Sequence, residues 1–359
     1  MALIWADGFN TYNASGSYVP YSHDLLKTKY GNDSSFRGDK AYWHTSGRYE
    51  PGSLSLDDVY TFDYSVTTGT TNDTLITGVA FKPTGANQDA TRYSNVFPII
   101  KYSDNLNSSL ELCISLFTFF LRDGDEDTLA VIPATFYRDD WNYVEMKATA
   151  HSSNGSVEVR LNGCPAFKLD GVKTDFASNG YYPTVWFGEE LRPRGNDGLA
   201  LDDYYICDGS GNRNNDFLGP STTVATLFPD GDDSTNFATT GNANHATHYE
   251  HVDGNNPLGD TDYIQDDTTG NRDIFTMDDT PNYTEIYGLM SCSLSEGITS
   301  NTDYSQVLIS GNTENQSSNF TAEDGEKITH KTIWEEDPNT SNQWTLSSVN
   351  SIKYGVEVK

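Results

Sequence analysis

Three histidines spaced three apart, His245, His248 and His251, and two acidic loops carry the side chains that could do metal chemistry, the histidines being the less favoured of them. On a strand His245 and His251 share a face while His248 points away, and on a helix only adjacent pairs approach. A zinc site therefore needs an irregular loop and a fourth ligand, and none is assigned. Protonation of the trio in mild acid is the other chemistry open to it. The run Asp123-Gly-Asp-Glu-Asp127 alternates carboxylates as a calcium loop does, but Thr128 stands where an EF-hand has glycine and Ala134 where it has a bidentate glutamate. That run and Asp230-Gly-Asp-Asp233 read as solvated turns in preference to calcium ligands, leaving any bound metal unknown. Glycoside hydrolysis needs two carboxylates held on one strand face. Glu145 and Glu158 instead stand alone on the polar faces of their strands, and Glu189-Glu190 would point in opposite directions. Nucleophile elbows, Walker loops and dinucleotide-binding glycine runs are absent. The expectation is no enzyme, no catalytic residue and no cofactor. Tyr181-Tyr182, Tyr204-Tyr205 and Trp186 could stack on sugar rings, although filling a sandwich interior or a subunit interface is the favoured reading.

The elements that must position these residues are strands. Trp141 to Ala150 alternates Val144, Met146, Ala148 and Ala150 against Tyr143, Glu145, Lys147 and Thr149, the period of a half-buried strand. Asn154-Gly155 marks a turn, Ser156 to Leu161 alternates again, and Asn162-Gly163 is a two-residue turn of the kind that demands positive φ. Strands follow at Thr184 to Phe187 and Leu199 to Cys207. Earlier candidates are Val59 to Val66, Leu75 to Phe81, Val96 to Tyr102, Leu110 to Leu116 and Leu129 to Ile132. The order resembles that of a concanavalin A-like jelly roll, which implies such a domain over 1–212. The turn-rich run Asp208 to Asp216 is the expected join, and a second, smaller β-sandwich over 213–359 is the expected assembly domain. There Thr222 to Phe228, Ile286 to Leu294, Tyr304 to Ser310, Lys327 to Trp334 and Ser351 to Val358 pattern as strands. The polar reach from Pro229 to Asp262 reads as a surface loop or a docking arm.

Composition agrees. The chain of 359 residues carries 22 basic against 52 acidic side chains, a formal charge of −30, which disfavours nucleic acid and anionic membrane surfaces. With 22 Tyr, 17 Phe and 6 Trp among many polar turn residues, an all-β class is expected. The apolar run Leu110 to Leu121 is too short to span a bilayer. Met1 to Asp7 lacks a basic segment and a cleavage site, which predicts no signal peptide. Cys113, Cys164, Cys207 and Cys292 show no paired spacing and are expected to be buried free thiols.

Two sets of residues carry a family resemblance. The run Asp202-Asp-Tyr-Tyr-Ile-Cys-Asp-Gly-Ser-Gly-Asn-Arg-Asn-Asn-Asp-Phe-Leu-Gly219 resembles the joint between a concanavalin A-like domain and the next domain in tailed-bacteriophage virion proteins. Asp260-Thr-Asp-Tyr-Ile264, Asp273-Ile-Phe275, Asp337-Pro-Asn-Thr340 with Trp344-Thr345, and Tyr354-Gly-Val-Glu-Val358 resemble the rest of that pattern in the same order. The resemblance covers about the last two-thirds of the chain; Asp7-Gly-Phe9 agrees more loosely. It implies a non-enzymatic virion structural protein assembled in the host cytoplasm, either a tail fibre or appendage or a capsid decoration. It also implies a homo-oligomer, with a trimer favoured, and other virion proteins as partners. The alternative is a carbohydrate-binding adhesin that contacts a host surface glycan.

Overall fold

The computed structural model describes residues 2–10, 41–44, 47–49, 52–57, 64–85, 97–103, 109–115, 118–123, 127–132, 137, 140–175, 180–187, 197–253 and 262–359. The described residues form two compact units, one running to Val224 and the other from Ala225 to Lys359. Residues 213–224 thus lie with the first unit.

Two antiparallel sheets make the first unit, a jelly-roll sandwich as expected. The larger is eight-stranded, in the order β12 (Cys164–Val172), β11 (Gly155–Leu161), β10 (Asn142–Thr149), β5 (Thr74–Gly85), β14 (Asp197–Asp208), β3 (Ser53–Asp57) and β2 (Ala41–His44), with β1 (Leu3–Asp7) also on β14. The smaller is six-stranded: β4 (Tyr64–Thr67), β13 (Thr184–Phe187), β6 (Phe97–Ser103), β7 (Ser109–Ser115), β8 (Thr118–Asp123) and β9 (Thr128–Ile132). Alternation sets what lies between them. Val144 pairs with Val79 and with Leu161, and all three are buried, as are Val157 and Val159. From the other sheet Phe119 meets Phe81 edge to face, with ring centroids 5.9 Å apart, and the Tyr102 hydroxyl donates across the sandwich to the Met146 carbonyl at 2.9 Å. Asn162 and Gly163 both have positive φ, 51° and 78°, the two-residue turn that the sequence predicts. The strand after that turn, β12, escapes the alternation test because it is an edge strand with mostly exposed side chains.

In the second unit β15 (Pro229–Ser234), β18 (Arg272–Met277), β24 (Lys353–Val358), β20 (Thr302–Ser310) and β21 (Thr313–Gln316) form one sheet, with β22 (Phe320–Ala322) also on β20. A two-stranded layer, β19 (Leu289–Ser295) with β23 (Ile328–Trp334), faces it over a cluster of Leu308, Trp334, Trp344, Val349 and Ile352. β16 (Ala238–Thr240) and β17 (Tyr263–Gln265) pair separately. The reach from Pro229 was expected to be a loop or arm, yet it begins with β15. Bulges interrupt the β15–β18 register and the strand is all Pro, Asp, Gly and Ser, so no apolar alternation betrays it. Conversely, Thr222 to Phe228 patterns as a strand and is none. Of the cysteines Cys113 and Cys207 are buried, whereas Cys164 and Cys292 are exposed, contrary to expectation. Cys164 sits on the solvated edge strand β12, and Cys292 on the outward side of β19.

Candidate functional site

The face of the six-stranded sheet turned away from the core carries a row of side chains in cross-strand register. Trp186 of β13 pairs with Lys101 of β6, Lys101 with Glu111 of β7, Glu111 with Arg122 of β8, and Arg122 with Thr128 of β9. Each is flanked along its strand by a residue facing the core, such as Val185, Tyr102, Leu110 or Leu121, so the pleat turns all of them the same way. Glu111 is the hub. Its carboxylate accepts from Arg122 Nη2 at 2.9 Å and Ser109 Oγ at 2.9 Å, and Lys101 Nζ lies 3.5 Å away. The Cys113 thiol donates to it at 3.7 Å, and burial pushes that thiol far above its ordinary pKa, which removes it as a nucleophile. The Trp186 indole Nε1 is buried without a hydrogen-bond partner. Exposure rises along the row toward β9. Lys101 is 7% exposed, Phe120 is partly exposed and Val131, its cross-strand neighbour, reaches 56%. The accessible end, Phe120 and Val131, therefore combines an aromatic edge and an apolar patch beside the mostly buried Arg122, a set suited to stacking on a sugar ring.

The corresponding face of the eight-stranded sheet is closed. Glu145, expected to stand alone on a polar face, is 1% exposed, because the chain after β14 returns across that face as a strap. Glu145 Oε1 accepts from the Tyr205 hydroxyl at 2.7 Å and from the Gly219 N–H at 2.8 Å, while Oε2 is buried without a partner. Gly78 lies between them in register, and a Cβ there would come within 2.2 Å of the Tyr205 ring. Lys147 pairs with Asp216, Arg160 covers the Phe217 ring with 4.1 Å to its centroid, and Asp203 Oδ1 accepts from the Val224 N–H at 2.9 Å. Arg48 closes the latch. Its Nη1 reaches Asp203 Oδ2 and the Thr222 carbonyl, its Nη2 the Pro220 carbonyl, and its plane lies 4.7 Å from the Tyr143 ring centroid. Asp203 has φ 49°, at a bulge in β14. Asp202, beside it, accepts from the Arg48 N–H at 2.7 Å, and its pKa is raised first by burial and then by the Asp203 charge.

The three histidines part company. A turn at Asn242–His245 and a 3-10 turn at Tyr249–His251 carry His245 and His251 toward Asp262, and the two rings meet edge to face with centroids 5.1 Å apart. His245 Nδ1 is 3.0 Å from Asp262 Oδ2, and His251 Nδ1 contacts Oδ1 of the same carboxylate. His248 instead binds the fully buried Asp273 at 2.6 Å.

The remaining sequence candidates are absorbed by the fold. Asp123 caps the hairpin to Asp127, and residues 124–126 lie outside the described residues, as do Glu189 and Glu190. Asp230 takes Thr276, Asp232 the backbone of His248 and Tyr249, and Asp233 the Lys353 ammonium. Glu158 pairs with Arg160. Tyr182, Tyr204 and Tyr205 are buried, and Tyr181 is partly exposed. Of the singled-out aromatics, Tyr205 faces Glu145 under the strap, and Trp186 faces away from the core in register with Lys101. Lys101, Glu111 and Arg122 escape sequence reading because only the register of two strand pairs, β6–β7 and β7–β8, aligns them.

No family model matches the chain, and no curated protein matches it. Among solved structures the chain is similar to the alginate lyase Aly36B, at 9% identity and a TM-score of 0.41, over 56% of this chain and 95% of that one. It is also similar to the botulinum neurotoxin type G receptor binding domain, at 13% identity and 0.39, over 99% and 85%. Lectin I from Ulex europaeus, in complex with the methyl glycoside of α-L-fucose, matches at 10% identity and 0.32, over 49% and 94%.

Proposed function

We propose that this chain is a non-enzymatic structural protein on the surface of a tailed-bacteriophage particle, a tail fibre or appendage or a capsid decoration. It would assemble in the host cytoplasm as a homo-oligomer, a trimer being favoured, and act by packing and presentation. One observation supports the reading: among the described residues, those that resemble the virion pattern are used largely to make the fold. Asp202 and Asp203 latch the strap, and Asp273 is fully buried and accepts from the Asn236 and Phe237 N–H groups and from His248. Asp337 organises the turn to Asn342, and Trp344 Nε1 donates to the Trp334 carbonyl at 2.8 Å. Tyr354 to Val358 lie in the central strand β24. A motif set spent on architecture is what a structural role requires. Antibody labelling of intact particles should place the chain on the surface, at the tail or on the head. Its absence from purified particles would end the reading.

The row from Trp186 to Arg122 favours a second reading, an adhesin for a host glycan. On a glycan array the chain should retain a specific glycan, and Val131→Asp, at the exposed end of the row, should weaken retention at least about tenfold, the effect of losing one good contact. Unchanged retention would remove this face from consideration.

A further inference from the structure

Between Ala225 and Asp273 the described residues include no buried hydrophobic side chain; the apolar core of the second unit resumes at Ile274. The apolar side chains of the β16–β17 pair and the 3-10 turn are only half-buried, and polar contacts there converge on His245, His251 and Asp262. One ligand atom from each of the three lies within 4.8 Å of the others. The His251 side chain is 5% exposed. His245 Nδ1 is buried and lies 3.0 Å from Asp262 Oδ2, yet it makes no aligned hydrogen bond. A close but misaligned contact between two ligating groups is the arrangement an ion between them would resolve.

We propose that His245, His251 and Asp262 bind one divalent ion of the zinc class, which staples the 3-10 turn to the start of β17. Two imidazoles and one carboxylate suit zinc and its transition-metal neighbours, whereas calcium and magnesium take oxygen ligands. Bonds of about 2.0–2.2 Å place tetrahedral ligand atoms roughly 3.3–3.6 Å apart, so the two imidazole nitrogens, now in direct contact with the carboxylate, draw back from it to admit the ion, and water fills the fourth position. The surroundings hold the ligands in place. Glu250 accepts from Ala246, Thr247 N–H and Thr247 Oγ1, fixing the loop between the two histidines. Asp232 fixes the start of the 3-10 turn, and His248 is committed to Asp273. An ion here does for this segment what buried apolar area does elsewhere, by closing the loop between His245 and Asp262. This inference is independent of where the chain sits on a particle.

The full chain, stripped with a chelator, should bind one equivalent of Zn2+ by calorimetry with release of protons, and Co2+ should give visible absorption of a nitrogen and oxygen site. His251→Gln and Asp262→Asn should each weaken Zn2+ binding at least about tenfold, while His248→Gln leaves the stoichiometry at one. Zn2+ should also slow proteolysis between Ala238 and Gln265. Circular dichroism of Asp262→Asn, nearly isosteric with the parent, separates lost ligation from lost fold. No binding by the full chain, or unchanged affinity in the His245→Gln/His251→Gln double variant, would overturn the proposal.

Discussion

At the scale of the residue, Glu145 is the clearest case of a polar group retained at a cost. One of its oxygens is filled by Tyr205 and Gly219, and the other is buried without a partner. A buried carboxylate in that state is costly, and an amide keeps the useful acceptor without the charge. Glu145→Gln should therefore leave the melting temperature unchanged or raised, whereas Glu145→Ala, which leaves the Gly219 N–H and the Tyr205 hydroxyl unpaired, should cost about 2–3 kcal/mol in denaturant unfolding. Glu111 behaves oppositely. Removing it strands Lys101 and Arg122 in a mostly buried setting, so Glu111→Ala should cost about 3–5 kcal/mol. Asp202 adds a pH dependence. Its pKa is pushed from the usual 3.8 up to about 8, because burial and Asp203 favour the protonated form. A folded pKa above the unfolded one stabilises fully below the unfolded value and loses that contribution as pH rises through the folded one. Thermal unfolding should thus show a loss of stability between about pH 4 and 8 that Asp202→Asn flattens. The sequence marked Glu145, Asp202 and Trp186 as notable, but it cannot show which sheet face is covered, and that fact decides the role of each.

At the scale of the element, the strap from Asp216 to Val224 explains what alternation could and could not disclose. β10, β11, β7 and β14 were legible because one face of each meets the core, and period two records that. β12 and β15 are edge strands with solvated or bulged backbones, and no hydrophobic period survives in them. The strap itself is irregular, Asp-Phe-Leu-Gly-Pro-Ser-Thr-Thr-Val, and the sequence assigns it to the second domain, with a strand expected from Thr222. Only its partners Glu145, Tyr205, Asp203 and Arg48 reveal it as part of the first unit. Arg48→Ala removes the cation that joins Asp203 to the carbonyls of Pro220 and Thr222. Limited proteolysis of that variant should cut within 213–224 at least about tenfold faster than in the parent, as expected for a segment whose local opening costs less.

At the scale of the whole molecule, the fold class was legible from composition and period, and the two all-β units follow it. The His245, His251 and Asp262 grouping was not, because an irregular turn and a distant aspartate complete it. A chain of formal charge −30 repels copies of itself, so light scattering should show any oligomer of the free protein strengthening as salt rises, since screening shortens that repulsion. Strictly monomeric behaviour at every salt concentration would count against self-assembly. The strap has one more consequence, and it concerns the order of synthesis. Every strand of the first sandwich leaves the ribosome before residues 216 to 224 do, so Glu145, Tyr205 and the Asp202–Asp203 pair spend that interval without their cover. Maturation of the amino-terminal half thus waits on a stretch that a naive cut would assign to its neighbour, and a pause in translation just after Asn212 would expose nascent chains to aggregation.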